Sequence, residues 1–125
     1  MSYTILYIED NPDNRQLVQR AVEAKGYIFV PAATGQEGLD LAENLRPEVI
    51  LLDINLPDID GYEVARQMRS GRVKHLLYVP IIAITANALK GDAEKALEAG
   101  CDVYLAKPIN IRELWARLES LLPQE

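Results

Sequence analysis

Four apolar residues, Val49-Ile50-Leu51-Leu52, run without transition into a carboxylate, Asp53. A short continuous apolar run bounded by turn formers reads as a strand buried on both faces, which is what a parallel sheet wrapped by helices requires. Pro47 stands before it, and Asn55-Leu56-Pro57-Asp58-Ile59-Asp60-Gly61, a loop rich in turn residues, comes after it. Asp53 is thus carried out of the carboxyl end of a central strand, the edge where open α/β sheets place their chemistry. The expectation is that Asp53 is a nucleophile.

The rest of the chain falls into place around that strand. Thr4 to Ile8 is a β-branched and aromatic run broken by Glu9-Asp10-Asn11-Pro12. Asn11 is the expected cap of a first helix, with Pro12 in its first turn, where a missing N–H costs nothing. Leu17, Val18, Ala21 and Val22 recur at helical spacing until Gly26. Tyr27 to Ala32 reads as a second strand, and Thr34-Gly35-Gln36-Glu37 as a capping box for a helix with Leu39, Ala42 and Leu45 on its apolar side. After the Asp53 strand, Gly61 opens a third helix that buries Val64, Ala65 and Met68. Gly71 to Val79 is expected to be an irregular connection, with His75 on its surface. Pro80 to Ile84 is a buried strand ending in Thr85, followed by a helix carried by Ala93, Ala96 and Leu97 and closed by Gly100. Val103 to Ala106 is a short strand ending in Lys107-Pro108. Asn110 to Glu113 caps a last helix striped by Ile111, Leu114, Leu118, Leu121 and Leu122.

Five strand–helix alternations with short connections predict one α/β domain over residues 1–125, a three-layer doubly wound (βα)5 fold with a parallel sheet. The formal net charge of -6 speaks against a direct nucleic-acid partner, which would require a basic surface to displace counterions. A single cysteine, Cys101, cannot form an internal disulfide and reads as a small buried hydrophobe. No apolar stretch reaches spanning length, no membrane insertion is expected, and the reading is cytoplasmic.

In such a sheet, residues that close different strands become neighbours: Glu9, Asp10, Asp53, Thr85 and Lys107. Three carboxylates in a partly dry cleft repel one another unless a cation sits among them. A hard divalent ion with oxygen ligands, Mg²⁺, fits that need. Acid ligands, an ionised carboxylate, a hydroxyl and an ammonium are the parts needed to move a phosphoryl group onto Asp53, with Thr85 and Lys107 holding the other phosphoryl oxygens.

Leu6-Tyr7-Ile8-Glu9-Asp10-Asn11, Leu51-Leu52-Asp53-Ile54-Asn55-Leu56-Pro57 with Asp60-Gly61, Ile84-Thr85-Ala86 and Ala106-Lys107-Pro108 resemble, in order and spacing, the four signature blocks of CheY-like response regulator receiver domains. The resemblance implies the flavodoxin-like strand order 2-1-3-4-5 and a phosphoacceptor role for Asp53 in two-component or phosphorelay signalling. The donor would be a sensor histidine kinase or phosphotransfer protein. It also implies Asp10 as a direct metal ligand, Glu9 as an acidic neighbour acting through water, and Asn55 as the donor of a backbone carbonyl. Thr85 and Lys107 would contact the phosphoryl group, and the bond before Pro108 would be cis. Thr85 would couple to the aromatic Tyr104, so that phosphorylation repacks the face made by the fourth helix, fifth strand and fifth helix, where a downstream protein docks. Trp115 is expected at the edge of that face. Asn55 and Asn87 fall at two variable positions that tune phosphate lifetime.

Because Met1 leads straight into the first strand and the chain stops after the fifth helix, a stand-alone regulator is expected. The alternative is a pseudo-receiver that binds partners without phosphate, although no member of the acidic, hydroxyl and lysine set is missing. An aspartate-nucleophile phosphatase of the haloacid dehalogenase type would need a second carboxylate two positions after the nucleophile, where Asn55 stands. An FMN carrier would need a hydroxyl-rich loop in place of Glu9-Asp10.

Overall fold

The computed structural model describes residues 2–86 and 91–123. Strands β1 (Thr4–Ile8), β2 (Ile28–Ala32), β3 (Val49–Asp53), β4 (Ile81–Thr85) and β5 (Val103–Ala106) alternate with helices α1 (Pro12–Ala24), α2 (Gly35–Leu45), α3 (Gly61–Met68), α4 (Asp92–Ala99) and α5 (Ile111–Leu121). All strand pairs are parallel, in the order β2-β1-β3-β4-β5. This is the expected doubly wound fold.

Successive strand residues face opposite sides, so the inner strands β1, β3 and β4 feed two cores. Leu6, Ile8, Ile50, Leu52, Ile81 and Ala83 pack with Leu39 and Ala42 of α2, Val64, Ala65 and Met68 of α3, and Ala96 and Ala99 of α4. Ile5, Tyr7, Val49, Leu51, Ile82 and Ile84 pack with Val18, Ala21 and Val22 of α1 and Leu114 and Leu118 of α5. Each fully buried aliphatic side chain contributes about 1.5–3 kcal/mol relative to exposure. Every residue of β3 and β4 is buried, which explains their unbroken apolar runs.

The caps form as their residue types require. Asn11 accepts from the amides of Asp13 and Asn14 at 2.8 and 3.0 Å, Asp60 from Glu63 at 2.9 Å and Asn110 from Glu113 at 3.0 Å. Thr34 accepts from Glu37 at 3.1 Å, but the returning Glu37 carboxylate reaches the amide of Ala33 at 3.2 Å. Asp58 in the loop after β3 accepts from the first amides of α2, Gly35 and Gln36, at 2.8 and 3.0 Å. That loop is thereby pinned to its neighbour.

Several expectations need correction. β2 begins at Ile28 and β4 at Ile81, one residue later than read. Pro80 has no N–H to give a ladder, although its carbonyl accepts from Ile50 at 2.9 Å. Leu17 and Leu97 are 46% and 48% exposed, so they lie off the buried stripes of their helices. The Gly71 to Val79 connection contains a 3₁₀ turn, Lys74–Leu77, and buries Leu76 and Val79. Arg69 organises it, donating to the carbonyls of Leu76 (2.7 Å) and Gly100 (3.0 Å) and to Asp102 (2.9 Å). His75 is half-buried, its Nε2 2.9 Å from the carbonyl of Ala42 near the end of α2. Trp115 turns toward α1: its indole N–H donates to Ala21 at 2.9 Å and the Lys25 ammonium lies 4.5 Å from its ring. Among the described residues, no helix is long and apolar enough to cross a membrane.

Gly61 sets how closely α3 starts to the end of β3. Its amide donates to Ile54 at 2.8 Å, and a Cβ there would lie 2.6 Å from both the Asp53 carbonyl oxygen and the Ile54 Cα. Backbone cannot rotate out of the way as a side chain can. Gly61→Ala is therefore expected to destabilise the fold by about 2 kcal/mol, the ordinary cost of overpacking. A lowered urea midpoint at unchanged slope would be the signature.

Candidate functional site

The parallel register brings the strand ends level. Ile8 lies opposite Leu52, Asp53 opposite Ile84, and Thr85 opposite Ala106. Bonds between neighbouring ends continue the ladder: Glu9 donates to Ala32 at 2.8 Å, Ile54 to Ile84 at 3.1 Å and Lys107 to Thr85 at 2.9 Å. Glu9, Asp10, Asp53, Thr85 and Lys107 consequently gather along one edge. The Lys107–Pro108 peptide is cis.

Glu9, Asp10 and Asp53 each bring a carboxylate oxygen within 4.8 Å of the others. Glu9 and Asp53 are buried, while Asp10 is exposed. The Lys107 ammonium stands between the two buried acids, 3.2 Å from Glu9 Oε1 and 3.2 Å from Asp53 Oδ1. Asp53 Oδ1 also accepts from the backbone amide of Asn55 at 3.2 Å.

Burial, then the hydrogen bond and charge of Glu9, push the Asp53 carboxyl up to about 7, against the pull of Lys107 and the Asn55 amide. Burial also opposes ionisation of Glu9, but hydrogen bonds from Asp53 and Asn14 and the ammonium of Lys107 outweigh it and hold Glu9 low. Below about pH 7, without a further positive charge, the pair keeps one proton, and it sits on Asp53. Burial disfavours the Lys107 ammonium too, yet the facing charges of Asp53 and Glu9 hold its pKa above the ordinary lysine range.

This donor set suits a hard divalent cation. Three carboxylates and one ammonium leave two uncompensated negative charges when all are ionised, and every ligand atom is oxygen. Glu9 Oε2 is buried without a hydrogen-bond partner among the described residues, an arrangement that a cation would satisfy. Magnesium therefore fits.

Thr85 is buried at the end of β4, where its hydroxyl donates to Asp92 at the start of α4 at 3.1 Å. Tyr104, in contrast, is 41% exposed on β5. Asn55 is exposed beside Asp53, and Asn87 lies outside the described residues. Three participants escaped the sequence reading. Tyr7 donates its hydroxyl to Glu9 Oε1 at 3.2 Å, Asn14 donates its side-chain amide to the same oxygen at 2.9 Å, and Asp92 holds Thr85. Strand periodicity puts residues 7 and 9 on one side of β1, a signal that could have revealed Tyr7. Burial, reinforced by Glu9, drives the Tyr7 hydroxyl pKa far above the usual tyrosine range, so it stays a donor.

A family model described as the response regulator receiver domain matches residues 5–119. The polar-differentiation response regulator DivK of Brucella ovis is 37% identical over 122 residues, covering 98% of both chains. The receiver domain of a sensor histidine kinase from Pseudomonas aeruginosa, solved with a magnesium ion coordinated in its active-site cleft, superposes with a TM-score of 0.89 at 40% identity, covering 97% of this chain and 98% of that one. Vibrio cholerae chemotaxis protein CheY4 superposes with a TM-score of 0.89 at 27% identity, covering 98% and 100%. With four strand ends converging on an acidic cluster and a lysine, and with these matches spanning the fold, the chain belongs to the response regulator receiver domains of two-component signalling, which interact with histidine kinases or phosphotransfer proteins and with downstream targets.

Proposed function

We propose that Asp53 is the phosphoacceptor of this receiver and that Glu9, Asp10 and Asp53, with the backbone carbonyl of Asn55, hold a magnesium ion. The observation that carries this reading is the pairing of Asp53 with Lys107 beside a buried Glu9 oxygen that has no hydrogen-bond partner among the described residues. Bound there, the ion neutralises the clustered carboxylates and the charge of an incoming phosphoryl group. A sensor kinase or phosphotransfer protein presents phosphohistidine. An Asp53 carboxylate oxygen attacks phosphorus in line, the phosphorus–nitrogen bond breaks, and the imidazole leaves with the electron pair. The Lys107 ammonium, already within salt-bridge distance of Asp53, is available to a phosphoryl oxygen.

Switching starts at Thr85. To meet the phosphoryl group, its hydroxyl must give up Asp92, so the chemistry at β4 is tied to the first turn of α4. The downstream partner is assigned to the α4–β5–α5 face, where Leu97 and Tyr104 expose apolar surface beside Arg117 and Glu113. Tyr104 is the aromatic that follows Thr85, and Pro108 lies beside Lys107 on the loop entering α5.

Incubation with Mg²⁺ and acetyl phosphate is expected to add one phosphoryl group, detected by intact mass, and Asp53→Ala to abolish it. An unchanged mass for the parent protein would sink the assignment. Magnesium affinity should depend on pH with a definite sign. Below the raised Asp53 pKa of about 7, metal must displace a proton, so affinity falls on acidification, by about tenfold per pH unit at the limit, and levels off above it. Calorimetric titration across that range measures the slope. Asp92→Ala, which removes one hydrogen bond of the Thr85 hydroxyl worth about 1 kcal/mol, is expected to speed phosphorylation by acetyl phosphate about fivefold. Rate constants from the same mass assay would show it.

A further inference from the structure

The Glu9 carboxylate is held unsymmetrically. Its Oε1 receives the Tyr7 hydroxyl at 3.2 Å, the Asn14 side-chain amide at 2.9 Å and the Lys107 ammonium at 3.2 Å. Its Oε2, also buried, has no N–H or hydroxyl donor among the described residues; beyond the three donors on Oε1, the carboxylate meets only the Asp53 carboxyl, whose proton a cation would displace. A side chain that needed only solvation inside the protein would distribute its donors over both oxygens, because a bare buried acceptor is costly.

Tyr7 is not explained by packing alone. Its ring is fully buried among Ile5, Leu51, Ile82 and Ile84, and meets Phe29 edge-on with centroids 6.4 Å apart. Phenylalanine would fill that volume without bringing a hydroxyl into an apolar cluster. The hydroxyl is affordable because strand periodicity aims Tyr7 and Glu9 to the same side of β1 and lets it reach Oε1. Asn14 approaches from the first turn of α1, whose start is fixed by the Asn11 cap.

We propose that Tyr7 and Asn14 are positioning residues for the metal: together with Lys107 they engage Glu9 Oε1 and thereby turn Oε2 toward the ion shared with Asp10 and Asp53. The inference rests on the receiver reading above, since it presumes that the ion binds there. Residues behind a ligand commonly fix its orientation, and their loss weakens metal binding without removing a ligand. The rigid, buried ring makes Tyr7 the firmer of the two supports.

The test is calorimetric titration of the full chain with Mg²⁺ alone. Wild type is expected to bind and Glu9→Gln to bind more weakly. Tyr7→Phe, which deletes only the hydroxyl, is expected to raise the Mg²⁺ dissociation constant about tenfold. Its metal-free melting temperature should stay close to wild type, and added Mg²⁺ should raise that temperature less. Asn14→Ala, on the half-buried side of α1, should weaken binding in the same direction and keeps the test available if Tyr7→Phe folds poorly. On a Glu9→Gln background both losses should vanish, because their effect passes through Glu9. Wild-type affinity in Tyr7→Phe and Asn14→Ala would overturn the inference and leave the receiver reading standing, and so would losses that persist on the Glu9→Gln background. A wild-type protein that binds no Mg²⁺ would overturn both.

Discussion

One ammonium between two buried carboxylates holds the working edge of this protein together. Lys107 stands 3.2 Å from both Glu9 and Asp53, and all three arrive from different strands. Two acids that close to each other in a dry environment would force one to keep its proton, and the raised Asp53 pKa expresses that conflict. The lysine relieves part of it. What remains is a site in which a second positive charge is favoured by electrostatics.

The scaffold makes this convergence possible. Parallel strands deliver their carboxyl ends to one line, and the close start of α3 at Gly61, the Asp58 bonds to α2 and the Asn11 cap of α1 fix the loops that leave that line. Elsewhere the same economy appears in Arg69, whose guanidinium links the end of α3, the 3₁₀ turn and the start of β5 through three acceptors.

The fold was legible in the chain because its signals are local. Unbroken apolar runs at β3 and β4 reflect burial on both faces, and cap residues report where helices begin. The acids, Thr85 and Lys107 were legible for a related reason: topology alone places strand ends together. Side-chain partnerships across the structure were not. Nothing near Thr85 in the chain indicates that Asp92 will take its hydroxyl, and the order around Gly71 to Val79 comes from Arg69, Gly100 and Asp102, which no periodicity records. The amphipathic stripe of α5 likewise marks an inward side without saying which neighbour meets its margin, so Trp115 was expected on the wrong one.

That indole has a spectroscopic consequence. It is the single tryptophan of the chain, and it is engaged by Ala21 and Lys25 at the carboxyl-terminal part of α1, whereas Asn14 meets Glu9 near that helix's amino terminus. Eleven residues separate Asn14 from Lys25, about 16 Å of helical rise. Its emission is therefore an optical gauge of the seam between the first and last helices.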